Sequence, residues 1–271
     1  MRFPLIACLA LPLLLAGCSS DPSEKDAPPE RPAQELFDEA QKAMADDRFA
    51  TASKSFDELE RQHPYSDLAP KARLLSAYAH YMNEDYDEAI IGFDQFLQLH
   101  PGSEDAPYAL YLKALCYYEQ ISDVSRDQDM TRRAMENLAL VSSRYPDSTY
   151  AKEAALKLDL TRDHLAGKEM EIGRWYQGQE QLQAAIGRFR MVVDTYQTTS
   201  HVPEALHRLV ECYAGLGLVE EARQTASVLG HNYPGSPWYQ DTYAIIGGDP
   251  EAKPADADRP GWLGRTWDSV F

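Results

Sequence analysis

Positive charge is what this sequence has least of. Lys and Arg together number 26 against 43 Asp and Glu, for a formal net charge of −17. A chain this acidic repels nucleic-acid phosphates and anionic headgroups, so no nucleic-acid partner is expected. Cysteine is scarce too. Of the four, Cys8 and Cys18 belong to an N-terminal leader and its end, which leaves Cys116 and Cys212 in the folded part. These two fall in different repeats of the pattern described below and read as buried free thiols, not as a disulfide. Catalytic signatures are missing: there is no P-loop, no GxGxxG after a strand, no HExxH, no paired CxxC and no GxSxG. The seven histidines do not cluster at ligand spacing, and Asp127-Gln128-Asp129 lacks the glycine and closing glutamate of a calcium loop. The expectation is a protein without catalytic residues, metal site or bound cofactor.

Long hydrophobic runs are absent as well. The apolar stretch at residues 5–15, behind Arg2, is too short to span a bilayer and reads as a secretory signal over residues 1–17. It ends in Leu15-Ala16-Gly17-Cys18, which resembles the lipobox of bacterial lipoproteins. That resemblance implies lipidation at Cys18, with an N-acyl and an S-diacylglycerol group as the covalent anchor. Several acyl chains at ~0.8 kcal/mol per buried methylene hold a protein stably at a membrane where one chain does not. Ser19, where an aspartate is absent, implies the outer membrane, with the chain facing the periplasm. Residues 18–33 continue as a polar, proline-rich tether that lacks the apolar content to fold.

What the chain has in quantity is helical repetition. Residues 72–103 read as two amphipathic helices: the first runs to about Met82, Asn83-Glu84-Asp85 turns, the second covers residues 86–99, and His100-Pro101-Gly102-Ser103 ends it. Ala77, Tyr86, Ala89, Phe93, Phe96 and Pro101 stand at the spacing of a tetratricopeptide repeat. Small residues at Ala77 and Ala89 allow close crossing, while Phe93 and Phe96 fill the groove shared with the next repeat. One such unit cannot bury its own apolar face, so copies must stack. The punctuation returns at His63-Pro64, Tyr145-Pro146 and Tyr233-Pro234, with a degenerate copy at Tyr196-Gln197. The fold predicted is all-α, a tetratricopeptide-like solenoid of about five helix-turn-helix repeats.

The spacing is uneven. Residues 122–130 lengthen the turn of the third repeat and, being charged and small, read as a solvent-exposed loop. Residues 149–168 extend as a helix ahead of the fourth repeat's own hairpin. The predicted organisation is therefore signal 1–17, tether 18–33, repeats one to three over 34–148, long helix with repeats four and five over 149–246, and an acidic linker with aromatic tail over 247–271. In that tail Leu263, Trp267, Val270 and Phe271 share one helical face, for docking on the last repeat or on a partner or membrane surface.

Two groups of residues are candidates for partner contact. Tyr78, Tyr81, Tyr108, Tyr111 and Tyr118 fall toward the face lined by the first helix of each repeat. Tyrosine there offers rigid, amphipathic area suited to an extended peptide with aromatic side chains. Arg188 and Arg190 stand on the fourth repeat's second helix, and exposed arginines in an acidic protein suit a charge-paired partner.

Lipobox, proline-rich tether, five repeats, a long third-repeat loop and an extended helix, together with the run HPYSDLAPKARLLSAYAHYMNEDYDEAI, resemble the BamD family of outer-membrane β-barrel assembly lipoproteins. The resemblance spans residues 15 to about 243. It implies a scaffold of the BAM complex that binds the POTRA region of BamA through its C-terminal repeats and unfolded outer-membrane proteins through its N-terminal ones. The residues alone leave a second reading open, a lipoprotein scaffold for peptidoglycan or cell-division proteins on the same fold.

Overall fold

The computed structural model describes residues 30–247. Among them the elements are helices throughout: α1 Ala33–Ala45, α2 Phe49–Gln62, α3 Ala69–Met82, α4 Tyr86–Leu99, α5 Ala106–Glu119, α6 Asp129–Arg144, α7 Thr149–Gly178, α8 Leu182–Thr195, α9 Val202–Gly215, α10 Val219–Asn232 and α11 Pro237–Ile245. No helix among the described residues is long and apolar enough to cross a membrane. The signal, Cys18, most of the tether and the tail with Leu263, Trp267, Val270 and Phe271 lie outside the described residues.

Consecutive helices pack as hairpins, and the expected solenoid is the fold observed. The second repeat follows its sequence reading: α3 ends at Met82 and α4 covers Tyr86–Leu99. Ala77 and Ala89 are buried where the two cross, and Phe93 and Phe96 enter a cluster with Leu110, Ala114 and Leu138 of the next repeat. Gly92 tightens that crossing, since a methyl group there would meet Ala77 Cβ at 2.8 Å.

Four of the five hairpins turn by one device. Asp47, Glu84, Glu180 and Gly217 occupy the same place and take left-handed backbone, with φ of 56°, 63°, 59° and 73°. The next amide then donates back across the helix end: Arg48 N to Ala43 O, Asp85 N to His80 O, Gln181 N to Tyr176 O and Leu218 N to Tyr213 O, all at 2.8–3.0 Å. Carbonyls that a helix end leaves orphaned are satisfied in this way.

The third hairpin differs, and here the sequence reading is corrected. Its loop is not simply solvated. Gln128 is only 4% exposed, and its amide donates to the carbonyls of Asp123 and Arg126, both at 3.1 Å. Its Oε1 accepts from Thr131 Oγ1 at 2.7 Å. The loop then docks on α7, with Ser122 O against His164 Nε2 at 2.9 Å and Ser125 O accepting from Lys168 Nζ at 2.9 Å. One inward glutamine organises a segment whose charges point to water.

A second correction concerns α7. It is not an extension placed ahead of a separate hairpin; its C-terminal part is itself the first helix of the fourth repeat. Ser148 caps its start by accepting from Ala151 N at 3.2 Å. Ala154 and Leu158 belong to the core of repeats two and three, whereas Ala166 and Met170 belong to the core of the C-terminal repeats. Gly173 gives Phe189 room, because a methyl there would lie 2.4 Å from the ring. Beyond the fifth repeat, α11 closes the stack by packing Trp238 and Tyr239 on the same C-terminal core.

Candidate partner-binding site

Pro70 and Pro107 sit in the first turns of α3 and α5, where a proline's missing amide costs nothing. These starts set the register that brings tyrosines from α3, α5 and α7 into one ladder. Tyr81 lies 5.9 Å from Tyr86 and 6.4 Å from Tyr78 between ring centroids; Tyr78 lies 6.4 Å from Tyr108. Tyr150, at the start of α7, then stands 5.1 Å from Tyr108 and 5.6 Å from Tyr111. Pairs at these separations contribute about 0.5–1.5 kcal/mol beyond their buried area.

Four of the five predicted tyrosines thus come together, with different exposures. Tyr78, Tyr81 and Tyr108 are half-buried, while Tyr111 is 6% exposed and packs in the core. Burial pushes the hydroxyls of Tyr81 and Tyr108 up to about 12. Tyr111 is pushed up further by burial and by its bond to Glu153, to whose Oε2 it donates at 3.0 Å. The hydroxyls of Tyr81, Tyr108 and Tyr111 therefore stay protonated and can donate. Tyr118 stands apart, its ring capped by Lys157 Nζ at 4.3 Å. Sequence reasoning missed Tyr150 and Glu153, because both sit on a helix whose packing against α5 no local pattern reveals. Tyr86 was read as a repeat position only; its helix-start location beside Tyr81 was the available signal.

The arginines divide. Arg188 is half-buried and ion-paired with Glu169 of α7 at 3.0 Å, so it holds α7 and α8 together. Arg190 is exposed, with Asp194 at 3.8 Å, and is the freer cation. Near them a polar network that the sequence did not announce joins α7, α9 and α11. His207 is 4% exposed, with Nδ1 against Thr242 Oγ1 at 2.8 Å and its ring 5.2 Å from Trp238. Glu211 accepts from Gln177 Nε2 and Arg208 Nη1, both at 2.9 Å, and Arg174 reaches Glu204 at 3.1 Å. Burial alone pushes the Glu211 carboxyl up, but hydrogen bonds from His207, Gln177 and Arg208 outweigh it and hold the group down at about 2.

Cys116 and Cys212 are free and buried, and burial pushes their thiols up to about 12 and about 11. Thiols so far above neutral stay protonated and unreactive.

A family model described as an outer membrane lipoprotein, YfiO, matches residues 29–229. The chain belongs to that family. It is 46% identical over 242 residues to the outer membrane protein assembly factor BamD of Caulobacter vibrioides, covering 89% of this chain and 79% of that one. To the outer membrane protein assembly factor BamD of Rickettsia prowazekii it is 42% identical over 242 residues, covering 89% and 96%. Among solved structures it is similar to a tetratricopeptide repeat protein from Parabacteroides merdae at 14% identity and a TM-score of 0.36, over 79% of this chain and 73% of that one. The tyrosine ladder and the α7–α9–α11 network are what this YfiO-family sequence builds on its helical stack.

Proposed function

We propose that the protein is an assembly factor for outer-membrane proteins: a non-catalytic scaffold, anchored through lipid on Cys18 to the outer membrane and facing the periplasm. In this reading it works within the BAM complex, where its C-terminal repeats hold the POTRA region of BamA and its N-terminal repeats hold segments of unfolded outer-membrane proteins. The observation that carries the substrate half is the ladder of Tyr81, Tyr78, Tyr108 and Tyr150 across three neighbouring helices. Rigid rings with a polar tip suit extended segments rich in aromatic side chains, and they do so in a chain too acidic to hold anionic partners. Arg190 supports the second half, as an exposed cation on an acidic surface.

The test is a pair of substitutions, Tyr78→Ala with Tyr108→Ala, read by crosslinking to a peptide from an outer-membrane protein. Crosslinking should drop about tenfold if two stacking contacts of roughly 0.7 kcal/mol each are lost, with helical circular dichroism retained. Undiminished crosslinking overturns the ladder as the contact surface. A pull-down from detergent-solubilised envelopes should recover a β-barrel protein with POTRA domains; recovery of peptidoglycan enzymes in its place rejects the assembly role.

A further inference from the structure

Two grooves on the outer side of the solenoid can be compared position by position. One lies between α2 and α4 above α3, the other between α8 and α10 above α9. Each helix of the second set starts 133 residues after its counterpart, Phe49 against Leu182, Ala69 against Val202 and Tyr86 against Val219, and lengths match throughout. The linings do not match. Where the first groove, of about 210 Å³, has Arg73, Ser76 and His80, the second, of about 360 Å³, has Leu206, Leu209 and Tyr213. Glu60 becomes Val193 and Gln95 becomes Val228.

The first groove is closed by its own chemistry: Arg73 is ion-paired with Glu60, and Ser76 donates to Asp57. The corresponding gap between α4 and α5 is crossed by Lys113 and Asp94 at 2.6 Å. Between α8 and α10 no such pair stands at the equivalent positions. Leu206 and Leu209, each 3% exposed, form the floor of this slot, and Val193 and the 46% exposed Val228 stand at its sides among Arg190, Asp194, Glu221, Gln224 and Thr225.

We propose that this slot is the docking site for the chain's own residues 261–271. Three observations select that occupant. The chain leaves the described residues beside the slot: Ile245 and Ile246 pack on Ala222 and Ala226 of α10, and Glu221, Thr225 and Val228 on the adjoining face of the same helix line the slot. Residues 248–260 span up to about 43 Å when extended, several times the 10–12 Å width of the one helix they must pass. The segment also matches in chemistry. Leu263, Trp267, Val270 and Phe271 offer one apolar helical face, with Arg265 for the slot's Glu221 and Asp194 and Asp268 for its Arg190. A peptide of this length does not hold a helix alone in water, so it folds on the surface that covers it. Tethering adds an effective concentration in the millimolar range. Arg190 is shared between this slot and the proposed partner contact, and a crosslink from position 228 to residues 261–271 or to another polypeptide tells the two occupants apart.

The experiment places a photo-crosslinking phenylalanine derivative at position 228 of the full-length protein in its membrane. The expected product is an intramolecular crosslink mapped to residues 261–271, and the same probe at position 95, the equivalent site of the closed groove, should give none. A second measurement compares amide exchange in α8 and α10 with and without residues 261–271; exchange should quicken about fivefold when they are removed, as expected for loss of a tethered ligand. Crosslinks from position 228 to another polypeptide, to a second copy or to lipid assign the slot to that occupant and overturn the proposal. Unchanged exchange together with no tail crosslink overturns it equally.

Discussion

The two ends of α7 hold their neighbours by different chemistry. At the N-terminal end the contacts are rings: Tyr150 on Tyr108 and Tyr111, and Lys157 over Tyr118. At the C-terminal end they are charges and shared protons: Glu169 with Arg188, Arg174 with Glu204, Gln177 with Glu211. Stacked rings respond little to salt or acid, whereas a carboxylate network depends on both. The ring stacking at one end of α7 therefore depends less on salt and acid than the ion pairs at the other end, although both ends bury the same kind of alanine-lined crossing.

The largest blow to this comparison is mechanical. Phe189→Ala, at a fully buried ring wedged against Gly173, should cost about 3–5 kcal/mol. Amide exchange should rise in α8 to α10 and stay unchanged in α1 to α4; a uniform rise would show that the halves do not act separately. Next comes acid. Glu211 is held at about 2 against an ordinary 4.5, so its contribution is complete above about pH 4.5 and disappears as pH falls toward 2. The loss should be of order 2–3 kcal/mol, seen as earlier urea unfolding, and Glu211→Gln should abolish that pH dependence while Tyr111→Phe leaves it intact. Tyr111→Phe itself removes the bond to Glu153 but keeps the ring, and should cost about 1 kcal/mol at any salt concentration. The smallest effect belongs to the hairpins. Glu84→Gly relieves a left-handed non-glycine residue and Gly217→Ala imposes one, so stability should move by less than about 1 kcal/mol, upward in the first case and downward in the second.

The second repeat was legible almost to the residue, because Ala77, Ala89, Phe93 and Phe96 answer to local spacing and Pro101 to local stereochemistry. Other features were not. The buried Gln128 gathers loop carbonyls that have no pattern of their own, so a charged loop composition concealed a docked one. The continuity of α7 was missed because its C-terminal part, with Gly173 and Tyr176 at template positions, matched the repeat and invited a break that no proline enforces. α11 fell between the last punctuation and Gly247, too short to show periodicity. At the candidate site the tyrosines on α3 and α5 were visible from the template, whereas Tyr150 and the His207–Thr242 contact join residues far apart in sequence, which single-chain periodicity does not relate.

The unbroken course of α7 has a mechanical consequence. Thirty residues of α-helix form a rod about 45 Å long, and its hydrogen bonds run from the ring-stacked end to the charged end without a proline to bend them. A load applied at Arg174 or Gln177 therefore reaches Tyr150 as a tilt or a turn of the rod about its axis. The spacing between the two ends is fixed by chain length, and α7 acts as a gauge bar that sets how far the tyrosine ladder stands from the Arg174–Glu204 and Gln177–Glu211 contacts.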